Sequence, residues 1–574
     1  MAITLITGPA NAGKAQVIFD ALAAHCARSH EPVLVLPTQL DVEHYRRELA
    51  ERELMLGVRV QRFDGLIEQI ARRTRLGRRP VTNDTRRWML AALLGRRHGD
   101  SAAPDALTHG LLSALAPFVA ELESEHVTPA RLQRALRDWA SSPDLAGGHV
   151  SELGDIYQRY QRALARLGWA DPELYAALAL DALRGSPASW PATPVLFYGF
   201  DDLTVLQLDA IETLGRILDA PVSVSLAYEP ARVAFAGRAG AFQALLPLCA
   251  EHIQLSTRGD HYEPGARVAL HHLERSLFQA PSTRVDPGGV LGLLEGGGER
   301  AELELVAEQI KDLLDQGVAP GELAVVHRAP ATIAPLLDEV FRSRDIPYTL
   351  PRTARFANTA IGAGLIALLR CAIGQGDACD LLRWLRTPGL LERPELADRL
   401  ELRVRHNAAH TIDGARALWE AENWRLEAID QLREASQRGL LALVARLERE
   451  LEWLFCAPRR RRAEPLENDQ LDEGRALAGA RQTFAQLGEL TRGAPDLTPT
   501  SAQLLEILER LEFVGGETPT PEQVTVTSPL ALRARRVRAL FLCGLQEGTF
   551  PAPAPGENFL TREQRRTLSE ASGL

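Results

Sequence analysis

The apolar residues of this chain recur with two different spacings, and the spacing changes in blocks. Ile3-Thr4-Leu5-Ile6-Thr7 is a short run rich in β-branched residues that reads as a buried strand, and a helical pattern from Gln16 to Ala24 follows it. Glu31–Thr38 is again strand-like, Asp41–Glu53 has amphipathic helical spacing, and Val58–Phe63 reads as a third strand. Such β-α-β-α-β alternation within about 65 residues predicts a parallel sheet with crossover helices. From Asn83 to about Leu183 the strand signal is lost, and Thr85–Leu94, Leu107–Leu122, Pro129–Trp139 and Leu153–Leu167 carry apolar residues at helical intervals. Strand patterns return at Pro194–Asp202 and Val222–Leu226. A second α/β stretch opens at Gly288–Leu294 and continues through the helix Ala301–Leu314, the strand Leu323–Arg328, a helix reaching Arg344, and Ile346–Leu350. The chain from Ala354 to Glu512 is helical in pattern throughout, and the last strands are Val524–Thr527 and Val537–Leu542. The arginine tract Arg459–Arg462 inside that stretch reads as a solvated loop. The pattern therefore predicts two α/β units, each interrupted by a long helical insertion.

Composition adds bounds. A chain of 574 residues is too long for one core and suggests three or four domains. The share of hydrophobic residues, 45%, is that of an ordinary globular protein, and no apolar run has membrane-spanning length. A net charge of −10 argues against a surface that attracts nucleic acid indiscriminately, while leaving room for a local basic channel. The six cysteines are scattered with no C-x-x-C, which argues against zinc and fits a reducing, cytoplasmic setting. Met1 leads straight into a core strand, so no secretory leader is expected.

The candidate chemistry sits at the first strand's end. Gly8-Pro9-Ala10-Asn11-Ala12-Gly13-Lys14 matches G-x-x-x-x-G-K, the phosphate-binding loop. Its glycines let backbone N–H groups curl around phosphate oxygens, the following helix aims its positive end at the same anion, and the lysine reaches the terminal phosphates. Only two lysines occur in the chain, Lys14 and Lys311, which makes the placement informative. One position departs. The residue after the lysine should be a Ser or Thr whose hydroxyl holds Mg²⁺, and here it is Ala15. The loop residues Gly8 to Ala15 are thus expected to bind ATP with an impaired metal site.

The layout resembles the UvrD-like superfamily of DNA helicases, in which two RecA-like P-loop domains, 1A and 2A, carry helical insertions 1B and 2B. Gly321–Arg328 with Asp345–Tyr348 looks like the opening of domain 2A, and Val524–Pro529, Arg533–Arg538 and Leu540–Pro551 look like the strand and loop around helicase motif V. The closing G-L-x-E-G-x-F-P, Gly544 to Pro551, is the most specific piece. Within the superfamily the chain is more similar to the AddB-type subunit of the bacterial ATP-dependent helicase/deoxyribonuclease, which has its loop at the extreme N-terminus and resembles this chain at Val195–Asp202 and Arg62-Phe63.

The resemblance implies an α/β fold with domain 1A in residues 1–80 and 191–287, insertion 1B in 81–190, domain 2A in 288–353 and 516–574, and insertion 2B in 354–515. It implies a helicase-like subunit of a double-strand-break repair complex, acting on single- or double-stranded DNA ends beside a motor helicase–nuclease partner. Arg62, Arg328, Arg533, Arg535, Arg536 and Arg538 are the candidate DNA contacts, lining a channel between the α/β units. Active helicases carry Asp-Glu at the end of the strand corresponding to Val195–Phe200, and here Tyr198 and Gly199 stand there. Asp201 and Asp202 come too late and read as helix-start residues. The family's PD-(D/E)XK nuclease domain and its iron–sulfur cluster lie downstream of the residues present, so the chain is expected to be a piece of a longer protein with neither. Two other readings remain open: an active P-loop ATPase or helicase, and a scaffold without ligand.

Overall fold

The computed structural model describes residues 3–572 apart from 55, 96–104, 141–147, 281–282, 351, 460–467, 516–519, 534 and 553–558. The arginine tract at 459–462 falls largely outside them. The molecule is α/β, with parallel sheets and many helices.

The first sheet is built from apolar runs too short and too β-branched for helices. Its strands are β1 (Ile3–Gly8), β2 (Val33–Leu36), β3 (Arg59–Arg62), β6 (Val195–Phe197), β7 (Val222–Ala227) and β8 (Glu251–Gln254). A small parallel pair, β4 (Arg79–Pro80) with β5 (Trp169–Ala170), lies between β3 and β6 in sequence. The sheet order is β3-β2-β6-β7-β1-β8, and every pairing is parallel. Strands on either side of the first helical stretch thus share one sheet, with Leu34 level with Leu196 and Leu5 with Val224. The central strands are buried on both faces, as parallel sheets require. Helices α1 (Lys14–Ala27) and α2 (Gln39–Glu51) cover one face, and α3 (Phe63–Thr74) covers the other with Pro172–Gly185. β8 escaped the sequence pattern because its Glu-His-Ile-Gln is a polar edge strand.

The second sheet contains β9 (Leu323–His327), β10 (Tyr348–Thr349), β13 (Val524–Thr527) and β14 (Ala539–Cys543), in the order β10-β13-β9-β14 and again parallel. Gly288–Leu294 forms no strand. Between β10 and β13 the chain is not wholly helical: β11 (Arg352–Arg355) pairs antiparallel with β12 (Glu512–Gly515), closing the base of that helical stretch.

The two helical stretches do not stand apart. Their buried side chains, from Trp88 and Tyr160 to Phe356, Trp419 and Phe484, form one continuous apolar cluster. Polar links cross the same boundary, among them Thr82 to Gln486 (3.1 Å) and Arg166 to Asp496 (3.0 Å). Periodicity within a helix says which face is apolar but not which distant helix covers it.

Candidate nucleotide site

The loop Gly8–Lys14 lies at the carboxyl end of β1, between β7 and β8, where parallel α/β sheets bind ligands. Helix α1 begins at Lys14 with Gly13 as its N-cap, at φ 92°, a left-handed value that glycine adopts without strain. Gly8 is needed for close approach, since a Cβ there would stand 2.9 Å from the Leu255 carbonyl oxygen. Pro9 and Ala12 are buried, Ala10 and Asn11 exposed, and Gly13, Lys14 and Ala15 half-buried. The Lys14 ammonium turns back and donates to the carbonyl oxygens of Gly8 (3.1 Å) and Pro9. Burial, then repulsion from Arg238, lower its pKa to about 8, and Glu274 acts in the opposite sense.

Residues far from the motif crowd the loop. The Arg258 guanidinium lies across Gly13, where a Cβ would stand 3.2 Å from its Nη1, and it pairs with Asp260 at 3.0 Å. Tyr262 hydrogen-bonds Asn11 and donates to Glu274 Oε2 at 2.7 Å, while Glu274 Oε1 is buried with no partner. Both ring nitrogens of His261 are also buried and unpartnered. These groups flank or belong to the helix Arg267–Ser276, and sequence reading missed them because no motif marks them.

The metal-holding positions are filled by other things. Ala15 offers no oxygen. The Tyr198 ring packs edge-on against Tyr45, centroids 5.3 Å apart, and Gly199 sits at φ 82°. Asp201 and Asp202 do not begin the next helix: Thr204 caps Val205–Glu212 in a reciprocal box with Gln207. The Asp202 carboxylate accepts from Leu203 N (2.8 Å), and Asp201 is held by two arginines, Arg238 on Oδ1 and Arg533 on Oδ2. Mg²⁺ as phosphate loops usually hold it does not fit these residues.

The six candidate DNA-contacting arginines are not brought together. Arg533 joins the second unit to the first through Asp201 at 2.5 Å and Asp41 at 3.9 Å. Arg535 reaches the Leu40 carbonyl (3.4 Å), where burial lowers its pKa. Arg62 is exposed at the end of β3 and paired with Asp64. Arg328 is exposed just past the carboxyl end of β9, whereas Arg538, whose N–H donates to Glu322, marks the opposite end of that sheet. Arg536 is exposed and close enough to Tyr198 and His261 to act on both electrostatically.

A second group of charges lies inside the first helical stretch. Carboxylate oxygens of Glu123, Asp171 and Glu173 lie within 4.8 Å of one another, a spacing that could serve a metal. The Arg86 guanidinium fills the place instead, with 3% of its side chain exposed, bonding to Asp171 (3.2 Å) and Glu173 and lying 4.0 Å from Glu123. Tyr160 donates to Asp171 (2.8 Å), which also caps the helix Pro172–Gly185. Burial, then the hydrogen bond with Asp171, push the Glu123 carboxyl up to about 11, so it is held protonated at neutral pH.

Parallel strands ending in a glycine loop, an N-terminal helix and a lysine define a phosphate-loop protein of the α/β class. No family model matches the chain. Curated proteins named as the AddB subunit of an ATP-dependent helicase/deoxyribonuclease are similar to it along its whole length. That of Desulforudis audaxviator (strain MP104C) is 25% identical over 100% of this chain and 54% of its own length. That of Moorella thermoacetica is 23% identical over 100% and 55%, and that of Geobacillus thermodenitrificans 24% identical over 80% and 44%. The resemblance to the AddB type drawn from the sequence is therefore shown, and the chain spans about half the length of the curated relatives it matches.

Proposed function

We propose that this chain is the helicase-like portion of an AddB-type subunit, working in the cytoplasm with a motor helicase–nuclease partner on DNA ends during double-strand-break repair. It binds ATP and does not hydrolyse it. In this reading the two sheets are the cores of RecA-like domains 1A (1–80 and 191–287) and 2A (288–353 and 516–574), and the helical stretches 81–190 and 354–515 are insertions 1B and 2B. The carrying observation is a formed phosphate loop with Lys14 in place, beside three positions, Ala15, Tyr198 and Gly199, that cannot hold Mg²⁺ or orient water. Anion binding needs only donors and a positive field, which the loop retains. The exposed Arg62, Arg328, Arg536 and Arg538 are the DNA contacts of this reading, while Arg533 and Arg535 secure the two α/β units.

The test measures binding of a fluorescent ATP analogue and release of phosphate, with and without single-stranded DNA. Binding that weakens in Lys14→Ala, with phosphate release equal to a no-protein blank, is the expected result. DNA-stimulated release that disappears in Lys14→Ala would establish the active ATPase instead, and no binding at all would establish the scaffold.

A further inference from the structure

The loop lacks protein ligands for the ion that normally accompanies a nucleoside triphosphate, yet it is rich in fixed positive charge. Ala15 has no hydroxyl, and both oxygens of Asp201, the first carboxylate after Tyr198 and Gly199, are occupied by Arg238 and Arg533. Meanwhile Arg258 lies on Gly13 of the loop itself, and Arg238 is close enough to Lys14 to repel its proton. We propose that the loop takes the triphosphate free of Mg²⁺, with the guanidinium groups of Arg238 and Arg258 neutralising the phosphate charge that the ion neutralises in other loops. The proposal rests on the reading of the loop as a nucleotide site and names the form of nucleotide it selects.

The chemistry favours that form. A guanidinium carries five N–H donors in a planar fork that matches phosphate oxygens. Arg238 uses one nitrogen on Asp201 and one on the Ala227 carbonyl (3.3 Å), and Arg258 is bonded to Asp260, with 54% of its side chain exposed. Both therefore retain donors for a ligand. The metal-free triphosphate carries more negative charge than its Mg²⁺ complex, so it gains more from the same cations in a partly desolvated site. The acid that faces Lys14, Glu274, already has one oxygen on Tyr262, and a single remaining oxygen is a poor anchor for an ion that demands octahedral oxygen coordination.

The experiment titrates the full 574-residue chain with a fluorescent ATP analogue in Mg²⁺ and in EDTA at equal ionic strength. Binding in EDTA at least as tight as in Mg²⁺ is expected. Arg258→Ala, whose side chain is exposed and whose loss threatens no core, should weaken binding in EDTA by about tenfold to a hundredfold, the range of one or two charge-assisted hydrogen bonds. Arg238→Ala should do the same, judged alongside an unchanged circular dichroism spectrum. Binding abolished by EDTA overturns this inference and leaves the nucleotide-site reading intact. An Arg258→Ala affinity in EDTA equal to that of the parent chain overturns the role of the arginine. No binding in either buffer overturns the nucleotide-site reading and the inference with it.

Discussion

Charge is withdrawn from water in two places in this molecule, and the two are built on opposite plans. Around Arg86 the group is closed. One guanidinium meets two carboxylates, Tyr160 and a helix N-terminus satisfy the remaining oxygens of Asp171, and Glu123 carries its own proton. Around Lys14 the group is open. The ammonium rests on backbone carbonyls, a second cation presses on it, and a third lies on the loop's glycine. A closed group has spent its charge on the fold, whereas an open one keeps a surplus of one sign for something not part of the chain. The spacing of carboxylates alone would have assigned these roles the other way round, since Glu123, Asp171 and Glu173 are the residues with metal-like spacing.

The largest effect should come from opening the closed group. Arg86→Met leaves Asp171 and Glu173 buried without their counter-ion, and breaking a buried pair from one side costs about 3–5 kcal/mol. Urea unfolding followed by circular dichroism should show the transition of the helical region at clearly lower denaturant. A transition in its original place would mean that water reaches the carboxylates and that the group is not closed.

Glu123→Gln sharpens the same contrast with a smaller effect. The folded carboxyl is raised to about 11 from an ordinary value near 4.5, so the folded chain holds a proton that the unfolded chain releases above that value. Its contribution is complete below about pH 4.5 and declines as pH rises, by at most about 1.4 kcal/mol per unit. Glutamine keeps a donor toward Asp171 and an acceptor toward Gln161 without that proton. The variant should match the parent chain near pH 5 and be the more stable of the two at pH 8. Parallel stability profiles for the two chains would show that Glu123 is ionised in the fold.

Lys14→Ala acts on the open group and should do the reverse of Arg86→Met. Nucleotide affinity should fall about tenfold to a hundredfold while the unfolding transition stays put, because the ammonium contributes only two hydrogen bonds to carbonyls of its own loop. A large loss of stability would make Lys14 a member of the fold rather than of a site.

How much of this could be read from the sequence follows from how local each feature is. Gly8, Gly13 and Lys14 act within one turn of backbone, so their spacing carried their geometry, and the β-α-β alternation carried the parallel sheets. Asp201 was misread as a helix start because its partners are 37 and 332 residues away. Arg86 and Asp171 meet across 85 residues, and nothing in the run Thr85-Arg86-Arg87 distinguishes the buried arginine from its exposed neighbour. The same limit hid Arg258, Tyr262 and Glu274, which reach the loop from beyond β8, and it hid the joining of the two helical stretches. The arginines after β13 were read as one strip, but the chain there crosses from one end of the second sheet to the other, so its residues serve different neighbours.

The smallest effect tests the open group through its proton. Lys14 must be charged to hold phosphate, and in the free protein its pKa is lowered to about 8 by burial and by Arg238, with Glu274 opposing. A bound polyphosphate favours the ammonium, so binding raises that pKa and draws in a proton. Below about pH 8 the lysine is already charged and its contribution to affinity is constant. Above it, each unit of pH should weaken binding by up to about tenfold until the raised pKa of the complex is passed. The nucleotide's phosphates and the arginines do not change charge between pH 7.5 and 9.5, which leaves the lysine as the group observed. Titration calorimetry in two buffers of different ionisation enthalpy should register proton uptake near pH 8, and Lys14→Ala should abolish both the uptake and the decline. An affinity level across that range in the parent chain would mean that the lysine titrates at its ordinary value, and that the loop is wetter and less crowded with charge than its neighbours make it.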